Sequence, residues 1–115
     1  MATLTMNVIS RAGIAETLVA ATGGGDACAC SNDNYLKVVN GGGSPITVTL
    51  AIPSSASAYP GAAYASTAVS VPNGSHRLIG PLNPSLYQDP VTSLCTITYS
   101  AVTSVTVGVF NISAP

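Results

Sequence analysis

The chain has 115 residues, 47% of them apolar and only 6% charged, where an ordinary soluble domain carries about 25% charge. Three Lys and Arg against four Asp and Glu leave a net charge of −1, so there is no basic face for phosphates and nucleic-acid binding is excluded. The length suits one domain, residues 1–115, with a core that closes without disulfides or metal.

No apolar run reaches the roughly 18 residues of a membrane-spanning helix, so no membrane association is expected. The opening Met1-Ala2-Thr3-Leu4-Thr5-Met6 lacks a basic segment followed by an apolar run, so a cytosolic site of synthesis and assembly is expected. The sequon matches at Asn73 and Asn111 then carry no meaning. Thr, Ser, Asn and Gly wet the surface in place of ions. Burying a hydroxyl costs far less than burying a charge, so such an exterior suits a protein packed against other proteins.

In chain order, residues 4–9 predict a strand, and residues 1–11 a possible N-terminal arm. Residues 14–21 read as strand or loop, because no pair of caps brackets a helix. Gly23-Gly24-Gly25-Asp26 is a turn, and residues 34–39 a strand. Gly41-Gly42-Gly43-Ser44-Pro45 lacks the Lys and following helix of a phosphate loop and reads as a hairpin turn. In Ile46-Thr47-Val48-Thr49-Leu50-Ala51-Ile52 the period is two, with the aliphatics on one face and Thr47, Thr49 and Ala51 on the other. Thr suits the outer positions, since its branched carbon favours extended backbone while its hydroxyl stays wet.

Residues 53–64 are long, rich in small residues and carry two Tyr, which predicts a projecting loop. Strands are expected at 68–71 and 76–79, joined by a Pro72-Asn73-Gly74 hairpin turn. Pro81, Pro84 and Pro90 make residues 80–90 an ordered loop without ladder bonds. Two more alternating strands follow. In residues 95–100, Cys95, Ile97 and Tyr99 point inward; residues 105–109 repeat the pattern after a turn at 101–103. Many short strands with Gly/Pro-rich turns predict an all-β chain folded as a single small β-sandwich, jelly-roll or immunoglobulin-like.

Chemistry finds little purchase. His76 is the only histidine, and its neighbour Ser75 points to the opposite face of a strand. The acids Glu16, Asp26, Asp33 and Asp89 form no pair by sequence. Cys28 and Cys30 make a C-x-C pair whose spacing is not that of a zinc ribbon or finger. Cys95 reads as a small core residue, and the odd cysteine count favours reduced thiols. No catalytic, cofactor-binding or metal-ligating residue is assigned, and no enzyme activity is expected. Tyr35 and Tyr99 fall in strands as core or half-core residues. Tyr59, Tyr64 and Tyr87 fall in loops beside Pro, where a ring can bury in a partner or cap its own sandwich. With Leu4 and Arg11 of the N-terminal segment, these three are the candidate interface residues. A row of Tyr also suits sugar rings.

Three stretches carry a family resemblance: Val71-Pro72-Asn73-Gly74-Ser75-His76-Arg77-Leu78-Ile79-Gly80-Pro81, Pro84-Ser85-Leu86-Tyr87, and the run from Thr96-Ile97-Thr98-Tyr99-Ser100 through Val105-Thr106-Val107. The opening strand to Ile9, Arg11-Ala12-Gly13, the glycines before Asp26 and residues 40–50 extend it. The chain thereby resembles the head decoration, or cement, proteins of tailed bacteriophages. Residues 27–33 depart from that pattern, with Cys-Ala-Cys where a Lys or an aromatic is expected. The resemblance implies a sandwich that assembles, often as a trimer, on the outer face of a capsid. Its partner would be the major capsid protein, its place the exterior of the virion head, and its role the cementing of neighbouring capsomers. Two alternatives stand beside it: a carbohydrate-binding or adhesive β-sandwich module on a virion or cell surface, and another head–tail structural protein.

Overall fold

A computed structural model of the protein describes residues 2–52, 67–89 and 92–112. The chain is all-β. Its elements in order are β1 (Ala2–Thr3), β2 (Met6–Val8), β3 (Val19–Ala20), β4 (Asp26–Ala29), β5 (Asn34–Asn40), β6 (Ile46–Leu50), β7 (Thr67–Val71), β8 (Ser75–Ile79), the helical turn α1 (Pro84–Tyr87), β9 (Leu94–Tyr99) and β10 (Val105–Asn111). Two sheets form a sandwich. Sheet A has the order β1-β4-β9-β6-β7, and sheet B the order β2-β10-β5-β8, with β3 also paired to β10.

Period-two sequence becomes period-two burial. Ile46, Val48 and Leu50 of sheet A and Leu36, Val38, Val107 and Val109 of sheet B are all 5% exposed or less and meet in the core. Each such side chain contributes roughly 1.5–3 kcal/mol.

Among the described residues from β3 onward, β6 and β7 are the one pair of consecutive strands within a single sheet; every other connection crosses from one sheet to the other. With β3 as its short first strand, this is the connectivity of a jelly roll, so the immunoglobulin-like alternative does not hold. Two expected hairpins are corrected by the same fact. The glycine turn after β5 leads into the other sheet, and the Pro72-Asn73-Gly74 turn carries β7 of sheet A into β8 of sheet B. Asn40 explains both corners. Its side chain is 1% exposed; its Nδ2 donates to Ser44 O (2.8 Å) and Val71 O (3.1 Å), and its Oδ1 accepts from Gly42 N (3.0 Å). Gly74, at φ 73°, donates its N–H to Asn40 O at 2.8 Å. One buried amide thus ties both corners together where two hairpins were expected.

Other expectations shift as well. The strand expected at 4–9 shrinks to β2, a further short strand β1 precedes it, and Leu4 between the two sends its N–H to Ala27 O at 2.7 Å while its side chain turns into the core. The expected N-terminal arm is therefore stitched into both sheets: β1 runs parallel to β4, and β2 parallel to β10. Residues 14–21 are loop up to β3. Residues 80–90 were expected to lack ladder bonds, yet they hold α1, a buried Leu82 and isolated bridges Ser31–Leu82 and Gln88–Cys95. The prolines leave the N–H groups of Leu82 and Gln88 free to donate, and Leu82 N bonds Asn34 O at 3.1 Å. The Gly80–Pro81 peptide is cis. The projecting loop expected at 53–64 lies outside the described residues.

Candidate interaction surfaces

Strand alternation gives each sheet an outer face, and the two differ in chemistry. On sheet A the inward residues of β6 and β9 leave Thr47, Thr49, Thr96 and Thr98 outside. Register places Thr49 between Ala68 of β7 and Thr98 of β9, Thr47 beside Ser70, and Thr96 beside Ala27. The described part of this face holds Thr, Ser, Ala and Leu94, and no charge. The one acid in the strands of sheet A is Asp26, and it points inward and is fully buried. Cross-strand Thr pairs stabilise such a surface while keeping it flat and wet.

Sheet B is dressed differently. Its outer positions include Tyr35, Lys37 and Val39 of β5, His76 and Leu78 of β8, and Gly108 and Phe110 of β10. Tyr35 and Phe110 stack with ring centroids 5.3 Å apart. Lys37 Nζ lies 2.8 Å from Glu16 Oε2, which draws residues 14–18 across the sheet. Gly108 makes room for that crossing, because a Cβ there would stand 2.7 Å from Leu18 Cδ2 and 3.0 Å from Thr17 O. Asn7 fastens the other side: its amide donates to Thr17 O at 3.2 Å and Val109 O at 3.1 Å, and accepts from Thr17 N at 3.1 Å.

The sandwich edges differ too. Arg77 of edge strand β8 is registered with core-facing Val38 yet is exposed. A charge pointing inward at an edge guards against strand addition. Edge strand β7 (TAVSV) carries no charge. Between the two edges lies a cleft of about 260 Å³ lined by Leu50, Val69, Leu78, Ile79 and Tyr87 among others.

The candidate interface residues do not form one patch. Leu4 is buried at 7% exposure, so its side chain serves the chain's own core and offers nothing to a partner. Arg11 is exposed in a turn. Tyr87 is half-buried at the cleft, its hydroxyl 2.7 Å from Thr67 Oγ1. Tyr59 and Tyr64 lie outside the described residues. Sequence reasoning missed the outer face of sheet A as a unit. The Thr-x-Thr pattern at Thr47/Thr49 and Thr96/Thr98 was visible, but only the β6–β9 register makes one surface of the two.

The core side of sheet A holds a polar cluster. Tyr99 Oη donates to Asp26 Oδ2 at 2.8 Å, and Thr22 N donates to the same oxygen at 3.2 Å. Asp26 Oδ1 is buried without a hydrogen-bond partner among the described residues. Burial, then the bond to Asp26, pushes the Tyr99 hydroxyl well above its ordinary range. Beside it, Cys28 and Cys95 are both 0% exposed. The Cys95 thiol is pushed up to about 12, first by hydrogen bonding to Cys28 and then by burial, against an opposing bond to Cys30. Half-buried Cys30 is raised as well, chiefly by its hydrogen bond with Cys95. Among the described residues, no three His, Cys, Asp or Glu side chains are placed to hold a metal ion. His76 is exposed and faces the aliphatic Val39 across the ladder. No family model, curated protein or solved structure matches the chain.

Proposed function

We propose that the protein is a structural subunit of a phage head that binds the outer surface of the capsid and cements neighbouring capsomers. The observation that carries this reading is the charge-free outer face of sheet A. A Thr/Ser/Ala sheet face can be covered at little desolvation cost, and its hydroxyls exchange water for a partner's polar groups without stranding an ion. Of the seven charges, Asp26 is buried and Lys37 and Glu16 neutralise each other. The remainder, Arg11, Arg77, Asp33 and Asp89, sum to zero, so long-range repulsion between copies is weak. That supports dense packing on a lattice, and the resemblance implies a trimer as the assembling unit. The family resemblance supplies the identity of the lattice. Binding to the assembled shell alone stabilises it by mass action, and many copies multiply weak contacts.

The test is to mix the purified protein with phage heads that lack it. The expected result is co-sedimentation in a copy number comparable to the capsid protein, with heads that survive higher temperature. Failure to sediment with any head, together with retention on a glycan column, would replace this reading with the sugar-binding one.

A further inference from the structure

We propose that Cys28 and Cys95 are the site of an oxidative modification, an inter-strand disulfide joining β4 to the central strand β9, with Cys30 as the thiol through which oxidising equivalents enter. The ladder places Cys28 directly opposite Cys95. Directly opposed residues of antiparallel strands have Cα atoms about 4.5–5.5 Å apart, inside the roughly 4.4–6.8 Å window that a disulfide spans. Asp26 and Cys28 share the core face of β4, and Cys30, just past the end of the strand, packs half-buried against the same core. Cys28 and Cys95 are both fully buried in one core cluster. The fold therefore brings Cys95, distant in sequence, to the Cys28/Cys30 pair, giving two enclosed thiols and one half-exposed.

The exchange needs a small disulfide oxidant such as oxidised glutathione, and it balances in three steps. The Cys30 sulfur, losing its proton, attacks the oxidant, forming a mixed disulfide and releasing one small thiol. Cys95 then attacks the Cys30 sulfur, losing its own proton and releasing the second small thiol. Cys28 finally attacks Cys95, and the proton it loses returns to the Cys30 sulfur as that leaves. The net change is one S–S bond formed, two thiol hydrogens lost, and one small disulfide reduced to two thiols. The Cys30 and Cys95 thiols are raised by their neighbours and by burial, so the exchange is slow and quickens in mild alkali. The same enclosure shields the product from reductants.

The full chain, incubated with oxidised glutathione at mildly alkaline pH, should lose two hydrogens by intact mass and leave one alkylatable thiol in denaturant. Peptide mapping without reductant should link residues 28 and 95, and Tm should rise by roughly 10 °C. Cys30→Ser should slow formation about tenfold or more yet give the same cross-link. Three free thiols at equilibrium would overturn the proposal, as would a final link that includes Cys30 or an unchanged rate in Cys30→Ser. These readouts on the wild-type chain do not depend on a Cys28 or Cys95 variant folding.

Discussion

The two outer faces of this sandwich solve the same problem in opposite ways. Sheet B covers itself: residues 14–18 lie across it, Lys37 holds Glu16, and Tyr35 stacks on Phe110. The described part of sheet A's outer face carries Thr, Ser and Ala in register and no ion. The lesson is that charge scarcity is not spread evenly over the molecule. What charge exists sits in sheet B, in loops, or buried at Asp26, and one whole face is left cheap to cover.

The comparison breaks most directly on that bare face. Thr49→Lys with Thr98→Lys should lower affinity for heads by about a hundredfold or more, because docking would bury unpaired ammonium groups. Because the two lysines would stand directly opposite each other, the unbound fold should lose about 1 kcal/mol, which urea unfolding measures separately from binding. Equal binding by sedimentation would move the contact surface elsewhere. Gly108→Ala asks whether the cover on sheet B is tight. A new Cβ against Leu18 Cδ2 and the Thr17 carbonyl should cost about 1–3 kcal/mol in urea unfolding and speed amide exchange in residues 14–18.

Tyr99→Phe probes the cluster beneath the bare face. It removes the hydroxyl from Asp26 Oδ2, leaving a buried carboxylate whose other oxygen already lacks a partner. The expected loss is about 1–3 kcal/mol by the same measurement. Alkaline pH reaches that cluster without mutation. The Cys95 pKa rises from 9.0 to about 12 in the fold, and Tyr99 is raised too. The unfolded chain therefore releases these protons first. The stabilisation is complete below pH 9 and is lost as pH climbs towards about 12, so Tm should fall across that window, and fall less steeply in Cys95→Ser. The smallest effect is expected from Lys37→Ala. An exposed ion pair is worth only a few tenths of a kcal/mol, so a small stability change with intact head binding would confine sheet B's outer face to a structural role.

Much of the fold was legible because one-sided burial writes itself into alternation. Val48, Leu50, Ile97 and Val107 announced their strands, with Thr marking the outer side. What alternation does not encode is whether the next strand lies beside the last or across from it. Pro72-Asn73-Gly74 has hairpin chemistry, yet the amide of Asn40, distant in sequence, turns that corner between sheets. Strand β4 was missed because Asp26-Ala27-Cys28-Ala29 contains no β-branched residue, and pairing with β9 overrides its weak propensity. The thiol cluster was hidden for the same reason, since opposition of Cys28 and Cys95 is a property of register. The charge deficit was plain in the composition, but its concentration on one face was not.

The strand order bears on how the protein is made. Both central strands come late: β9 fills the middle of sheet A and β10 the middle of sheet B. A chain still emerging from the ribosome can pair β6 with β7 and β5 with β8, but β4 cannot be joined to β6, nor β2 to β5, without the two late strands. Sheet A cannot close until β9 is made, nor sheet B until β10 is made, so folding is slow and dominated by distant pairings. An early stop anywhere before residue 105 should yield insoluble, protease-sensitive material rather than a smaller domain.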